Sequence, residues 1–170
     1  MSHTYTLQRE QFIPRPLAEV AAFFADAGNL EVLTPAFLHF KILTPLPIDM
    51  KTGALIDYQI RLFGIPFRWR TRIEDFDLPR KFVDTQIRGP YKLWHHTHLF
   101  EEVQGGVKMT DIVKYQMPMG PIGWMVHSIH VNKTLTTIFD YRFEKIRRLF
   151  PVNEEESLAT RALDTVGAGR

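Results

Sequence analysis

Three histidines lie close together in the stretch YKLWHHTHLF, residues 91–100. Imidazole binds metal ions, and because its ordinary pKa lies near neutrality it also transfers protons at physiological pH. If this stretch is a β-strand, alternation puts Trp94, His96 and His98 on one face and His95 on the other. The candidate chemistry therefore belongs to His96 and His98.

The segment that follows supplies a carboxylate for this pair. The text EEVQGGVKM predicts a hairpin with a two-residue loop at either Gln104-Gly105 or Gly105-Gly106, because glycine supplies a positive φ. The first register places Asp111 directly opposite His98, and the second places it one diagonal step away. We therefore expect a histidine–carboxylate contact on this face.

These residues suggest two kinds of chemistry. In acid–base catalysis, Asp111 would fix the tautomer of His98 while the other ring nitrogen faces a ligand, with His96 or Tyr115 assisting. In a metal site, His96, His98 and Asp111 would converge on zinc. Adjacent histidines are a weak signal for a metal, so the sequence predicts neither a metal nor a cofactor. The interpretation it favours is a hydrogen-bonded polar pair in a pocket wall.

The elements that position these residues follow from turn residues and hydrophobic periodicity. Residues 4–13 predict a strand, and two short helices follow it. Residues 37–117 predict strands joined by turns, which is typical of an antiparallel meander. Apolar residues recur every three or four positions from residue 122 to 149 and predict one long helix. The sequence thus predicts an α+β fold in which a seven-stranded antiparallel sheet wraps around this helix.

A single domain is predicted over residues 1–150. The chain has 170 residues, enough for one domain with a sizeable core. Residues 151–170 are polar and aperiodic, and predict a disordered tail.

The face that carries His96 and His98 is predicted to point inward because it is rich in aromatic and apolar side chains. Upstream, a Gly64-Ile65 turn would pair Ile60 with Trp69 on the same face. The ligand-contact residues predicted for this face and the last helix are Tyr58, Ile60, Trp69, Trp94, Phe100, Met109, Trp124 and Met125.

The connection between the two halves of the sheet decides which histidine points inward. A strict two-residue Gly89-Pro90 loop would place His95 inside. An irregular corner of residues 89–91 instead keeps Trp94 inside, beside Gln86 and Asp84, and we adopt that register.

Charge and composition exclude several classes of protein. Lys plus Arg number 21 and Asp plus Glu 19, a net charge of +2, which is too small to indicate nucleic-acid binding. The chain has no cysteine, so disulfides and thiolate metal sites are excluded. It has no run of about 18 apolar residues, so we expect a soluble, cytoplasmic protein without stable membrane insertion.

Basic residues alternate with aromatic ones along residues 61–72. Single-stranded nucleic acid would need both kinds on one face, but alternation separates them. We therefore expect a solvated outer face, or a homodimer contact, for Arg61, Arg68, Arg70 and Arg72.

Several stretches together resemble the START-like helix-grip superfamily, also called SRPBCC, and within it a bacterial ligand-binding branch described as polyketide cyclase/dehydrase-like. The resemblance covers residues 4–150 and rests on NLEVLTPAFLHFKIL, TGALIDYQIRLFGIPFRWRTRIEDF, FVDTQIRGPYKLWHHTHLFEE, GGVKMTDIVKYQMPMGPIG and IFDYRFEKIRRLF. It implies an elongated apolar cavity between the sheet and the last helix. Because the superfamily contains binders, transporters and enzymes, it assigns no catalytic residue.

The expected function is binding of a hydrophobic small molecule in that cavity, whether a lipid, a polyketide-like compound or an aromatic or isoprenoid one. The alternative is a cofactor-independent polyketide cyclase, dehydratase or isomerase. It would use His98 and Asp111 as an acid–base pair.

Overall fold

The computed structural model describes residues 3–62, 64–118 and 130–152 as one antiparallel sheet packed against helices. The elements are β1 (Thr4–Ile13), α1 (Leu17–Ala25), α2 (Asn29–Val32), a 3-10 turn (Ala36–Leu38), β2 (Lys41–Ile42), β3 (Leu55–Leu62), β4 (Ile65–Asp77), β5 (Lys81–Arg88), β6 (Leu93–Val103), β7 (Gly106–Gln116) and α3 (Asn132–Leu149). The predicted fold class is confirmed.

The sheet has seven strands in the order β1-β7-β6-β5-β4-β3-β2. Each strand from β2 to β7 pairs with its sequence neighbour, and β1 pairs with β7, all antiparallel. Two register shifts interrupt the β4–β5 pairing. Irregularities of this kind bend a strand, which suits a sheet that curves around a helix.

The β6–β7 hairpin adopts the first of the two predicted registers. Val103 pairs with Gly106, so the loop is Gln104-Gly105, and Gly105 has a φ of 80°. Gly106 is required for a different reason, because a Cβ there would lie 2.3 Å from the carbonyl oxygen of Ile13 on β1. The hairpin places His98 directly opposite Asp111.

The predicted β3–β4 register is wrong by two residues. Ile60 pairs with Phe67, and Tyr58, rather than Ile60, pairs with Trp69, because the turn joins Leu62 to Ile65. A shift of two residues leaves every side chain on its predicted face, since the side-chain period of a strand is two. Trp69 and Ile60 are accordingly both buried.

The β5–β6 register agrees with the irregular corner at residues 89–91. Asp84 pairs with His96, and Phe82 pairs with His98. This register puts His96 and His98 on the inner face, where both are buried. Trp94 is only partly buried, and the inner residue beside His96 is Asp84.

Helix α3 lies against the inner face of the sheet through one stripe of residues. Its buried apolar residues Leu135, Phe139 and Ile146 are spaced at about one or two helical turns, and Val131 and Phe150 extend the stripe at either end. One half packs with Leu7, Val113 and Tyr115 of the sheet, and the other packs with Val20 and Phe24 of α1. Within the described ranges, neither α3 nor any other helix is both long and apolar enough to span a membrane.

Two details of the predicted last helix change. Leu149, predicted on the apolar stripe, is exposed, and the stripe ends instead with Ile146 and Phe150. Most of the predicted helical segment before Asn132, with the predicted ligand contacts Trp124 and Met125, lies outside the described residues, as does most of the predicted tail.

The outer face of the sheet carries the arginines. Along β4, Arg68, Arg70 and Arg72 are exposed and alternate with buried Trp69 and Thr71. Basic and aromatic side chains thus occupy opposite faces, as alternation predicts.

The docking of α3 can be tested with two similar truncations. We expect Ile146→Ala to lower the free energy of unfolding by about 2–5 kcal/mol, because it leaves a cavity between α3, α1 and the sheet. Leu149→Ala, on the same helix but exposed, should cost less than about 1 kcal/mol. Urea denaturation followed by circular dichroism measures both, and equal losses would contradict this packing.

Candidate functional site

Three neighbouring strands each direct an ionisable residue toward the interior. Strand β5 contributes Asp84, β6 contributes His96 and His98, and β7 contributes Asp111. Asp84 lies directly opposite His96 and Asp111 directly opposite His98, so each carboxylate has one histidine across from it and the other on the diagonal. We call these four residues and Arg142 of α3 the histidine cluster.

Each histidine ring bridges the two carboxylates. For His98, Nδ1 lies 2.7 Å from Asp111 Oδ1 and Nε2 lies 3.2 Å from Asp84 Oδ2. For His96, Nε2 lies 3.2 Å from Asp111 Oδ1 and Nδ1 lies 3.5 Å from Asp84 Oδ2. The two rings are 3.9 Å apart between centroids, and Phe82 stacks on His98 at 4.1 Å. These contacts fix both ring orientations.

Arg142 brings a positive charge from the helix to the cluster. It falls on the same stripe as Phe139 and Ile146, three residues after one and four before the other, so it faces the sheet. Its Nε lies 3.4 Å from Asp111 Oδ2, an ion pair by distance, and its guanidinium lies 5.3 Å from the centre of the Phe24 ring. The cluster therefore connects α3 to three strands.

The pKa values of the cluster follow from burial and mutual charge. Burial acts to raise the pKa of Asp111, but the charges of Arg142 and His98 and the hydrogen bonds from both histidines hold it well below its ordinary value. The pKa of Asp84 is likewise lowered, because the hydrogen bond from His98 and the nearby positive charges outweigh burial. Both carboxylates are ionised at neutral pH.

The two histidines shift in opposite directions. Burial lowers the pKa of His98, but the charge of Asp111 and the hydrogen bonds to Asp111 and Asp84 outweigh it and raise the pKa. Burial, followed by the charge of His98, lowers the pKa of His96 despite the same carboxylates. With a proton on His98 and none on His96, the imidazolium and the guanidinium balance the two carboxylates.

A cavity of about 170 Å³ lies between the sheet and α3, next to the cluster. The polar part of its wall includes Asp84, His96, His98 and Arg142, and the rest is mainly apolar and aromatic. Helices α1 and α2, strands β3 to β6 and α3 all contribute to it. The cavity is therefore an apolar space with charged groups on one wall.

Aromatic rings form a large part of the cavity wall. Trp69 contacts three of them, with ring centroids 5.6 Å from Tyr58, 5.6 Å from Tyr91 and 5.3 Å from Trp94. Trp69 Nε1 donates a hydrogen bond of 3.1 Å to Thr71 Oγ1. Burial raises the pKa of the Tyr58 and Tyr91 phenols, so both hydroxyls stay neutral.

The architecture is shared with many solved structures. Ara h 8.0201 is 16% identical with a TM-score of 0.62, and the match covers 89% of this chain and 100% of that one. The major latex-like protein 151 of Panax ginseng is 12% identical with a TM-score of 0.63, covering 87% of this chain and 98% of that one. A protein from Chromobacterium violaceum is 16% identical with a TM-score of 0.67, covering 88% and 99%. The chain adopts the helix-grip fold.

Comparison by sequence adds nothing to this result. No family model matches the chain, and no curated protein matches it either. Because the structural relatives are under 20% identical, they establish the fold alone.

Of the predicted ligand-contact residues, this helix-grip structure places four in the cavity wall. They are Tyr58, Ile60, Trp69 and Trp94, and the predicted catalytic residues His96 and His98 join them. Their parity on the strands brings them together on the concave face.

The remaining predicted site residues on the sheet lie outside the cavity wall. Phe100 and Met109 pack into the core with α1 and α3, because they lie nearer the β6–β7 turn than His98 and Asp111 do. Tyr115 is buried against Tyr5, with ring centroids 5.4 Å apart. Asp111 contacts both histidines of the cluster but does not line the cavity.

Among the residues to which sequence reasoning gave no role are two members of the cluster, Asp84 and Arg142, and Tyr91 of the cavity wall. Asp84 could have been found, because the register adopted for β5 and β6 already places it opposite His96. Arg142 carried a weaker signal, a charged residue on the apolar stripe of a helix. Tyr91 lies in the corner before β6, where alternation says nothing about direction.

The carboxylate that could bind a metal ion together with the two histidines is Asp84, not the predicted Asp111. Asp84, His96 and His98 each offer one ligand atom, and these atoms lie within 4.8 Å of one another. Asp111, the predicted third ligand, contacts the opposite nitrogen of each ring.

The cost of breaking the cluster can be compared with that of an exposed ion pair. We expect Asp111→Asn to lower the free energy of unfolding by about 3–5 kcal/mol, because it leaves Arg142 and an imidazolium buried without their carboxylate. Asp57→Asn is the control, since its pair with Arg70 is exposed and well screened. Urea denaturation should show a far smaller loss for Asp57→Asn. An equally small loss for Asp111→Asn would mean that the cluster contributes little to stability.

The protonation states can be read directly by NMR of ¹⁵N-labelled histidines in chelator-treated protein. We expect His98 to stay charged above pH 6.5 and His96 to stay neutral below it, from their raised and lowered pKa values. His98 then adds stability that is full below pH ~6.5 and is lost as pH rises through its folded pKa. His96 adds stability that is full above pH ~6.5 and is lost as pH falls through its folded pKa. Two rings that titrate together near pH 6.5 would refute this assignment.

Proposed function

We propose that the protein binds a compact, largely apolar molecule with a polar group at one end, in the cavity between the sheet and α3. The observation that carries this proposal is the cavity itself, about 170 Å³ with aromatic walls and charged groups along one side. Apolar concave sites with a few directed polar groups are typical of small-molecule binding.

The size of the cavity limits the ligand. An apolar cavity of roughly 150 Å³ is enough for a benzene-sized molecule. A space of about 170 Å³ therefore suits one or two rings, such as an aromatic or small isoprenoid compound. This supports the aromatic and isoprenoid classes over a long-chain lipid.

The polar end of the ligand would face the histidine cluster. The Arg142 guanidinium lines the cavity and is a donor without acceptor capacity. The neutral phenols of Tyr58 and Tyr91 add two hydroxyl groups to the wall. A carbonyl, carboxylate or phenolic oxygen on the ligand would match these donors.

Acid–base catalysis by His98 with Asp111 is a second proposal. It is supported by a proton-bearing histidine of shifted pKa in a cavity wall, a feature common at active sites. However, both ring nitrogens of His98 already face carboxylates. The ring could act only if Asp84 released Nε2, so binding is the better supported function.

Ligand binding can be tested with 2-naphthoate, which has two apolar rings and one carboxylate. We expect it to quench the fluorescence of the cavity tryptophans saturably. Ile138→Trp, which fills the cavity from α3, should weaken binding at least tenfold, and Leu149→Trp, exposed on the same helix, should leave it unchanged. Absence of saturable quenching with naphthoate, benzoate and an isoprenoid acid, or equal affinities in both variants, would refute the proposal.

The catalytic alternative has its own experiment. 2-Tetralone has a compact two-ring body and exchangeable protons beside a carbonyl, so an acid–base site should accelerate its exchange with D₂O. NMR would compare the wild type with His98→Gln and with His95→Gln, whose side chain is on the opposite face. Exchange at the buffer rate with all three proteins would count against catalysis and leave binding unaffected.

A further inference from the structure

We propose that Asp84, His96 and His98 form a binding site for a divalent transition metal ion such as Zn²⁺, with an open coordination position toward the cavity.

The spacing of the ligand atoms fits such an ion. Asp84 Oδ2 lies 3.2 Å from His98 Nε2 and 3.5 Å from His96 Nδ1. Zinc bonds of about 2.0–2.2 Å at tetrahedral angles would separate neighbouring ligand atoms by about 3.4 Å. Both separations from Asp84 are within a few tenths of an ångström of that value, and all three ligand atoms lie within 4.8 Å of one another.

The opposite nitrogens of both rings are already held as they are in metal sites. His96 Nε2 and His98 Nδ1 both lie against Asp111 Oδ1, at 3.2 and 2.7 Å. Histidines that bind metals usually donate their other N–H to a carboxylate, which fixes the ring and raises its basicity. Asp111 would serve both histidines in this way, and Arg142 in turn holds Asp111.

Charge also favours a cation at this position. With both imidazoles neutral, the cluster has two carboxylates and one guanidinium, which leaves one uncompensated negative charge in a buried site. A proton on His98 Nε2 can balance it, and a metal ion would replace that proton at the same nitrogen. A divalent ion would leave one positive charge, which an anionic oxygen in the open position would offset.

The position of the site gives the metal access to a ligand. Asp84, His96 and His98 all line the cavity, whereas Asp111 lies behind them. Three protein ligands with a free fourth position are typical of zinc sites that accept an exogenous molecule, in contrast to closed structural sites. Two imidazoles and one carboxylate also suit Co²⁺, Ni²⁺ and Fe²⁺.

Titration of chelator-treated protein with Co²⁺ and Zn²⁺ tests the site without any organic ligand. We expect one Co²⁺ per chain, with visible absorption typical of four or five ligands, and displacement by Zn²⁺. Asp84→Asn should weaken binding at least 100-fold. His95→Gln, one residue from His96 but on the opposite face, should bind as tightly as the wild type.

A measurement on the wild type identifies the ligand atoms even if Asp84→Asn does not fold. In ¹⁵N NMR with Zn²⁺, the signals of His96 Nδ1 and His98 Nε2 should shift to values of coordinated nitrogens, while His95 stays unchanged. Absence of stoichiometric binding at 100 µM metal, shifts confined to other histidines, or equal affinity in Asp84→Asn and His95→Gln would overturn the proposal.

Discussion

Two carboxylates, two imidazoles and one guanidinium lie between the sheet and α3, where little water can solvate them. Each would be costly to bury alone, and together their charges balance when one histidine carries a proton. The members come from β5, β6, β7 and α3, so the balance exists only when these elements are aligned. A shift of one residue in either strand pairing would turn an ionisable group to the outer face and leave its partners uncompensated.

The cluster and the cavity support each other. Aromatic side chains line the space between α3 and strands β3 to β6 without filling it. The apolar wall strengthens the electrostatic interactions next to it, because the local dielectric is low. A molecule that enters the cavity therefore meets apolar rings on most sides and strong, fixed donors on one.

Much of the site was predictable because the period of a strand is two. The β3–β4 register was wrong by two residues, yet Tyr58, Ile60 and Trp69 still share the inner face. The same parity placed His96 and His98 inward and His95 outward. How far along a strand the cavity extends was not predictable, since parity gives the face and not the depth, and Phe100 and Met109 pack into the core.

The sequence by itself determined the antiparallel order of the hairpins, the inner and outer faces of each strand and the contact between His98 and Asp111, because turns and side-chain alternation are local. Only the tertiary structure decided that Arg142 joins the cluster, and that Asp84, already placed opposite His96 by the β5–β6 register, also reaches His98. Asp84 reaches His98 diagonally from the neighbouring strand. Arg142 lies 44 residues after His98, and it reaches the cluster only because α3 is rotated so that this side chain faces the sheet. Such contacts depend on how separate elements pack, and local periodicity carries no information about that.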